Sequence, residues 1–449
     1  MTEPSAPAVS ERGIDRRSFL TRSAVLAATA VGGAGATQLL AACGQKEDDE
    51  VSLPSGLAAP GRTIPEAALA WSMAPYPGEV RAVVGMRRGY FEDVGIKIGP
   101  GETGAKYDLT GSLAPLLSDK VDVGSGVIEV FMSQLDNVQN VQSFMVLDTY
   151  LGYGFFAPPE SDAVSLEELM QDGASFEDAM KRVTEQMVGK SVAAATDPAA
   201  RLFYDICFDL GGYDFKEVDR VDLENPRIVS LALAGQVDFA GPSGGTEFVK
   251  LDKAGFKKVV DAKQLIENTD DARALQLVTH STYATRSDLL SKDYETFLRA
   301  TSVIYRVIDD FERDPRGTAA DLLPYLNAYT GTDLTPAELE GAFNQVAEAR
   351  NFEDAAEFFV GDSPYNVDRV CEAQMEELRK QNVLKEDHEV EEVNGAKRIW
   401  EDLRRYRDAA EPLFDEVKGK DPELERQARD QFDARNYLDA YRFLASLKS

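Results

Sequence analysis

The sequence predicts an α/β fold in two lobes that share one plan. From residue 67 onward a short apolar strand (67–71), a helical stretch (79–88) and a second strand (95–98) follow one another, a rhythm typical of a parallel sheet with crossover helices. Two later segments, residues 111–126 and 227–245, repeat a common pattern. Each runs from a helical stretch through a tight turn and a Val-Asp pair into a short apolar strand that ends in small polar residues. We interpret this repeat as two lobes with the same α/β organisation.

Two long apolar, β-prone runs, residues 144–153 and 274–284, lie at the borders between the lobe-like regions. We expect these runs to be strands that cross between the lobes. The expected organisation is lobe one at residues 66–152 and 280–400, lobe two at 160–272, and a C-terminal helical extension at 401–449. After residue 286 the apolar period is helical, with stretches at 294–311, 336–349, 367–381 and from 397 to the end.

The first 42 residues predict an export signal. Residues 15–20 read DRRSFL, which resembles the twin-arginine (Tat) export motif with Arg16 and Arg17 as its arginine pair. The apolar run that starts at residue 24 is too short, and too rich in Gly and Ala, to be a stable membrane span. The alternative is an ordinary buried helix with a chance arginine pair.

A tetrapeptide that resembles a lipobox, LAAC at residues 40–43, ends this signal. The resemblance implies Tat export, cleavage before Cys43, and a lipid on that cysteine that anchors the chain to the cell membrane on its extracytoplasmic side. Residues 43–65 are polar and rich in Pro and Gly, and we expect them to form a flexible tether.

The composition argues against several classes of function. A net charge of −30 repels phosphate backbones, so we expect no nucleic-acid partner. Besides Cys43 the chain has Cys207 and Cys371, both in helix-like apolar surroundings, which favours two separate buried thiols over a disulfide. His280 and His388 are the only histidines, and no Cys/His spacing indicates a metal site. We also expect no cofactor.

One segment carries a family resemblance. Residues 85–98 read GMRRGYFEDVGIKI, which resembles the GYFE-x-x-G-hydrophobic signature of the SsuA/THI5-like (NMT1) periplasmic binding proteins of nitrate, sulfonate, taurine and thiamine-precursor importers. Further matches are VDVG at 121–124, GKSVA at 189–193 and LAGQVD at 233–238, so that the resemblance covers about residues 66–345. It implies a type II, Venus-flytrap periplasmic-binding-protein fold with two crossing strands, and a ligand in a cleft that closes by a hinge.

Ligands of open α/β sheets lie beyond the carboxyl ends of the strands, where helices start. The candidate ligand-binding residues at such positions, and on the nearby strands, are Ser72, Tyr76, Ser125, Gly126, Thr149, Tyr153, Thr196, Asp197, Ser243 and Gly244. Each has an alternative role, because Ser, Thr, Asp and Gly are common helix caps and aromatic residues often pack in the core.

The charge of the ligand stays open at this point. Helix starts favour an anionic group such as a carboxylate or sulfonate. The nearest basic residue is Arg201, one turn into its helix, whereas acidic residues (Glu129, Asp148, Asp197 and Glu247) lie near the expected cleft and would suit a neutral or amine-bearing ligand.

The resemblance implies an extracytoplasmic solute-binding lipoprotein that delivers a small organic molecule (sulfonate, taurine-like or thiamine-precursor-like) to an ABC permease. A ligand-binding sensor module for a membrane partner is the alternative. A pyrimidine-synthesis enzyme of the THI5-like kind is disfavoured, since the cysteine-rich motif of those enzymes is missing. No Walker A lysine follows the glycines at 244 and 245, and we expect the protein not to be an enzyme.

Overall fold

A computed structural model describes residues 59–74, 76–107, 113–138, 140–330 and 332–448. These residues belong to one compact unit. The predicted signal peptide at 1–42 with Arg16 and Arg17, the predicted lipid attachment at Cys43 and most of the tether lie outside the described residues. No helix within the described ranges is long and apolar enough to cross a membrane.

Two mixed sheets, one in each lobe, are built from twelve described strands. The strands are β1 (Ala67–Met73), β2 (Ile96–Gly99), β3 (Ala105–Lys106), β4 (Val123–Val127), β5 (Val141–Tyr150), β6 (Gly154–Ala157), β7 (Ser191–Ala195), β8 (Asp219–Leu223), β9 (Phe239–Gly241), β10 (Lys257–Asp261), β11 (Thr279–Arg286) and β12 (Ala347–Glu348). Lobe one holds the seven-stranded sheet in the order β12-β5-β11-β4-β1-β2, with β3 beside β1, and lobe two holds the five-stranded sheet β10-β6-β9-β7-β8.

Each sheet has a parallel part and an antiparallel part. In lobe one β1 pairs in parallel with β2, β3 and β4, and in lobe two β7 pairs in parallel with β8 and β9. The antiparallel strands β5 and β11 lie side by side. The chain passes from lobe one to lobe two just after β5 and returns to lobe one just before β11. The two apolar runs therefore mark the crossings, as the sequence predicts.

The Val-Asp repeat has the same structural role in both lobes. The Asp122 carboxylate accepts a hydrogen bond of 2.8 Å from the backbone N–H of Ala70 in β1. In lobe two the Asp238 carboxylate accepts from the N–H of Ser191 at 2.8 Å and from its hydroxyl at 2.7 Å. Each aspartate thus joins the start of one parallel strand to its neighbour, because it satisfies a backbone donor that the sheet leaves unpaired.

Nineteen α-helices cover the sheets in the described chain. They are α1 (Ala82–Arg87), α2 (Tyr90–Asp93), α3 (Leu113–Leu117), α4 (Ile128–Met132), α5 (Leu166–Gln171), α6 (Phe176–Glu185), α7 (Pro198–Gly211), α8 (Asn225–Leu233), α9 (Gly245–Lys253), α10 (Ala262–Asn268), α11 (Ser287–Lys292), α12 (Tyr294–Arg313), α13 (Pro315–Thr330), α14 (Pro336–Val346), α15 (Ala356–Phe359), α16 (Val367–Lys380), α17 (Ala396–Glu416), α18 (Pro422–Asp433) and α19 (Tyr437–Lys448). The sequence analysis missed α13.

The GYFE segment is a tight corner between α1 and β2. Gly89 and Gly95 both have φ of 74°, a left-handed conformation that favours glycine. A Cβ at Gly95 would also lie 2.6 Å from the backbone oxygen of Pro65. Between the two glycines Phe91 is fully buried and contacts Trp71 edge to face, with ring centroids 5.3 Å apart. This corner fixes the first crossover of lobe one.

The C-terminal helices α17, α18 and α19 pack on lobe one. Helix α17 runs through the predicted boundary between residues 400 and 401 without a break. Arg299 of α12 and Asp439 of α19 form a buried ion pair at 2.6 Å, with side chains 3% and 0% exposed. Cys207 and Cys371 are separate buried thiols, as predicted.

Candidate ligand-binding site

A cavity of about 600 Å³ lies where the chain crosses between the lobes. The crossing region and lobe one contribute residues 76–79, Val127, Asp148, Tyr150, Tyr153, Thr279 and Ser281. Lobe two contributes Asp197, Asn225 and residues 243–247. A third wall comes from α13, α14 and their connection, with Leu326, Thr330, Thr332, Leu334, Ala342, Phe343, Val346 and Ala347.

The first crossing places two tyrosines in the wall. The rings of Tyr150 and Tyr153 meet edge to face with centroids 5.8 Å apart. A Cβ at Gly152 would lie 2.4 Å from the Tyr150 hydroxyl oxygen, so only glycine fits between them. The Gly152 carbonyl accepts a hydrogen bond of 2.9 Å from the N–H of Gly244, which holds the crossing against lobe two. Burial raises the pKa of both phenols, so they remain protonated donors at neutral pH.

The starts of two lobe-two helices are joined to Ser243 by hydrogen bonds. Asp197 precedes α7, and its carboxylate accepts from the N–H of Ala200 at 2.8 Å, which makes it the helix cap that the sequence predicts. The other Asp197 oxygen accepts from the Ser243 hydroxyl at 2.7 Å. Asn225, at the start of α8, accepts from the Ser243 N–H at 2.9 Å. These contacts orient the polar groups on this side of the cavity.

Glu247 stands in the first turn of α9, at the third helix start. Burial raises the pKa of its carboxyl. A Cβ at Gly244, where φ is 136°, would lie 2.5 Å from a Glu247 oxygen. Glycine is therefore favoured at 244, because residues with a side chain rarely adopt this φ.

The lobe-one side contains a buried ion pair and a second glutamate. Asp148 lies 2.7 Å from Arg81, with side chains 2% and 3% exposed. Arg81 also donates to the carbonyl of Leu147 at 2.8 Å and stacks on the ring of Phe343 at 4.7 Å, so its guanidinium stays outside the cavity lining. Burial, and then the charge of Asp148, raise the pKa of Glu79 to about 8. The Glu79 carboxyl is therefore mostly protonated at neutral pH in the empty site.

The structure brings five of the ten predicted site residues to the cavity, namely Tyr76, Tyr153, Asp197, Ser243 and Gly244. The other five lie outside its lining. Four of them have bonds or packing contacts within lobe one, and the fifth, Thr196, is exposed.

The serines among those five connect β1 to β4. The Ser72 hydroxyl donates to the carbonyl of Val123 at 3.1 Å, and the Ser125 hydroxyl accepts from the N–H of Ala74 at 2.7 Å. Gly126 lies against Phe131, whose ring would be 2.9 Å from a Cβ there. Thr149 is buried beside the lining residues. These residues support the wall from behind.

Sequence reasoning missed several lining residues, among them Glu79, Tyr150, Asn225, Thr279 and Phe343. The sequence did contain a signal for two of them, because Tyr150 is the last residue of β5 and Thr279 is the first residue of β11. These two residues pair directly at the crossings. Of the acidic residues noted near the cleft, Glu129 does not line the cavity. Glu129 is partly buried, its carboxylate accepts from the N–H of His280 at 3.3 Å, and burial raises its pKa to about 7.

Comparison with known proteins identifies the fold. A putative periplasmic sulfonate-binding protein, SsuA of an ABC transporter from Methylobacillus flagellatus, matches with a TM-score of 0.51 over 76% of this chain and 94% of that chain, at 12% identity. The fold is that of the periplasmic binding proteins. This likeness confirms the predicted two-lobed type II fold.

Two further solved structures have TM-scores of 0.46 and 0.45. They are the aliphatic sulphonate binding protein SsuA of Escherichia coli (12% identity, 73% of this chain, 91% of that chain) and the ligand-binding component of an ABC-type import system of Staphylococcus aureus (10% identity, 75% and 98%). No family model matches the sequence. No curated protein matches it either.

Proposed function

We propose that this protein is an extracytoplasmic solute-binding lipoprotein that takes up a small organic molecule in the cavity and delivers it to an ABC permease. The observation that carries this proposal is the cavity of about 600 Å³ between the lobes, at the crossings of a periplasmic-binding-protein fold. Its volume lies within the roughly 300–1,000 Å³ of sites that enclose small molecules.

The arrangement of the cavity walls fits a protein that encloses a solute when its two lobes close. Lobe one and lobe two face each other across it, and hinge motion at the crossings would separate Asp148 and Tyr150 from Asp197 and Ser243. Helix α14 packs against α9 of lobe two, and Lys253 and Glu338 form an ion pair of 2.7 Å between these helices. An entering solute therefore requires these contacts between the lobes to open.

The N-terminal signal supports the location. Tat export directed by Arg16 and Arg17, and a lipid on Cys43, would place the domain outside the cytoplasm and beside a membrane permease. The proposed lobes are residues 66–152 with 280–400 and residues 160–272, followed by the extension at 401–449. Binding and delivery require no chemical step at the site.

The test exposes the purified protein to a bacterial metabolite extract and identifies the retained molecules by mass spectrometry. A retained compound at 100 times its Kd should stabilise the protein by about 2.7 kcal/mol. It should also lower the radius of gyration in small-angle X-ray scattering, since the lobes close. Retention of no compound, or binding without any change in scattering, would contradict a closing solute-binding protein.

Two variants on α8 test whether the solute binds in the cavity. Asn225→Ala removes a lining side chain that orients Ser243 and should weaken binding about tenfold, the effect of one lost hydrogen bond to a buried group. Ser230→Ala is the matched control, because this exposed hydroxyl bonds only to the carbonyl of Pro226 within the same helix. Equal effects of the two substitutions would place the binding site elsewhere.

A further inference from the structure

Within the described residues, the ionisable acidic and basic side chains that line the cavity are all acidic. Four acidic residues line it, Glu79, Asp148, Asp197 and Glu247, whereas the lining found among the described residues includes no lysine, arginine or histidine. Asp148 is neutralised by Arg81 behind the wall. The other three acidic side chains form no ion pair within the described part of the chain. An anionic solute would therefore meet like charge on the lobe-two side, at Asp197 and Glu247.

Carboxylates of this chain stand at two of the helix starts that could hold an anion. Asp197 accepts a hydrogen bond from the N–H of Ala200 at the start of α7, and Glu247 lies in the first turn of α9. These carboxylates already interact with the positive ends of the two helix dipoles, so a sulfonate or a carboxylate of a ligand would have to compete with them. Both residues line the cavity.

Glu79 gives an independent indication from the opposite wall. The residue lines the cavity although it is only 4% exposed, and its carboxyl, whose pKa burial raises to about 8, would ionise more readily beside a bound cation. No positively charged group of the described chain forms an ion pair with it. A buried carboxyl that faces a cavity without a basic partner suits a cation supplied by the ligand.

Aromatic rings complete the surroundings. Tyr76, Tyr150, Tyr153 and Phe343 all line the cavity, and apolar residues of α13 and α14 form the third wall. The electron-rich faces of such rings attract ammonium groups, and apolar walls accept a hydrocarbon body.

We propose that the solute is an organic cation, a protonated or quaternary amine on an apolar or aromatic body, whose charge is held by the acidic side chains and the tyrosine rings of the cavity. This inference rests on the proposed solute-binding function. It departs from the sulfonate that the sequence resemblance includes.

The test compares probes of one shape and different charge. Benzyltrimethylammonium, phenethylammonium, phenylmethanesulfonate and the neutral neopentylbenzene are titrated into the purified protein by calorimetry. The cations should bind at least about tenfold more tightly than the sulfonate and the neutral probe, the factor expected from one charge-assisted contact. A preference for phenethylammonium over the quaternary probe would show that the carboxylates receive N–H donors.

Two charge-neutralising variants and one control assign the effect to the cavity. Asp197→Asn keeps an acceptor for the cap, and Glu247→Gln keeps the side-chain length, so both preserve the fold and each should weaken cation binding about tenfold. Asp252→Asn removes an exposed charge from the same helix as Glu247, outside the lining, and should leave the Kd unchanged.

The outcomes separate the two proposals. Tighter binding of the sulfonate or of the neutral probe, or cation binding that both cavity variants leave intact, overturns the cation assignment and leaves the solute-binding function in place. If no probe binds and the protein retains nothing from a metabolite extract, the solute-binding proposal fails as well.

Discussion

The buried glutamate of the cavity makes the stability of the empty protein depend on pH. Burial, and then the nearby Asp148, raise the pKa of Glu79 from its ordinary 4.5 to about 8. A group whose pKa is higher in the folded state adds stability that is fully present below the unfolded pKa and is lost as the pH rises through the folded value. The Glu79 contribution should therefore fall between about pH 4.5 and pH 8.

The magnitude follows from the same two values. At 1.36 kcal/mol per pH unit, the rise from 4.5 to about 8 corresponds to at most about 5 kcal/mol of stability lost above pH 8. Glu79→Gln keeps the size of the side chain and cannot ionise. The variant should thus resemble the wild type at pH 5 and exceed its free energy of unfolding by several kcal/mol at pH 9.

Urea denaturation of both proteins between pH 5 and pH 9 measures the difference directly. The difference between the proteins isolates Glu79 from other groups, such as Glu129, whose raised pKa acts in the same direction. Glu160→Gln, an exposed glutamate, is the control and should show no such trend. A difference between wild type and Glu79→Gln that stays constant with pH would refute the reasoning.

Three further outcomes are expected. Cys43→Ala should release the protein from membranes, and its persistence in the membrane fraction after a high-salt wash would contradict lipid attachment. Arg299→Met should cost about 1.5–3 kcal/mol in urea denaturation, because it removes charge-assisted hydrogen bonds from the buried Asp439, which then keeps Arg442 as its arginine partner, whereas Arg426→Met in an exposed pair should cost under about 1 kcal/mol. Asp238→Ala should lower the melting temperature through a loss of about 0.5–1.5 kcal/mol, the net value of a hydrogen bond at this exposed position, without changing the Kd of a bound solute, and a changed Kd would show that this aspartate acts beyond the fold.

Local signals in the sequence predicted much of the fold. The Val-Asp repeat identified the paired lobes because each aspartate satisfies the same kind of strand N–H. The turns of the GYFE corner could be predicted from its glycines, because the chain adopts left-handed conformations there. Helix α13 was missed because Pro324 lies inside it, and an internal proline ordinarily argues against a helix.

The site was only partly predictable. The sequence pattern of a serine at the end of a strand does not distinguish a hydroxyl that contacts a ligand from one that bonds a neighbouring part of the sheet. Ser72 and Ser125 form bonds of the second kind. The third wall depends on how α14 packs against α9, a contact between segments about 90 residues apart that leaves no local pattern. Glu79 likewise becomes a lining residue only through tertiary burial.

The start of the described chain is fastened to its end. Gly61 and Arg442 of α19 share a backbone hydrogen bond of 3.1 Å, Arg442 donates to the carbonyl of Ala59 at 3.3 Å, and Arg62 forms an ion pair with Asp421 before α18. A force applied at the start of the described chain would therefore act on α18 and α19 and reach α12 of lobe one through the pair of Arg299 and Asp439. This path does not include the crossings between the lobes.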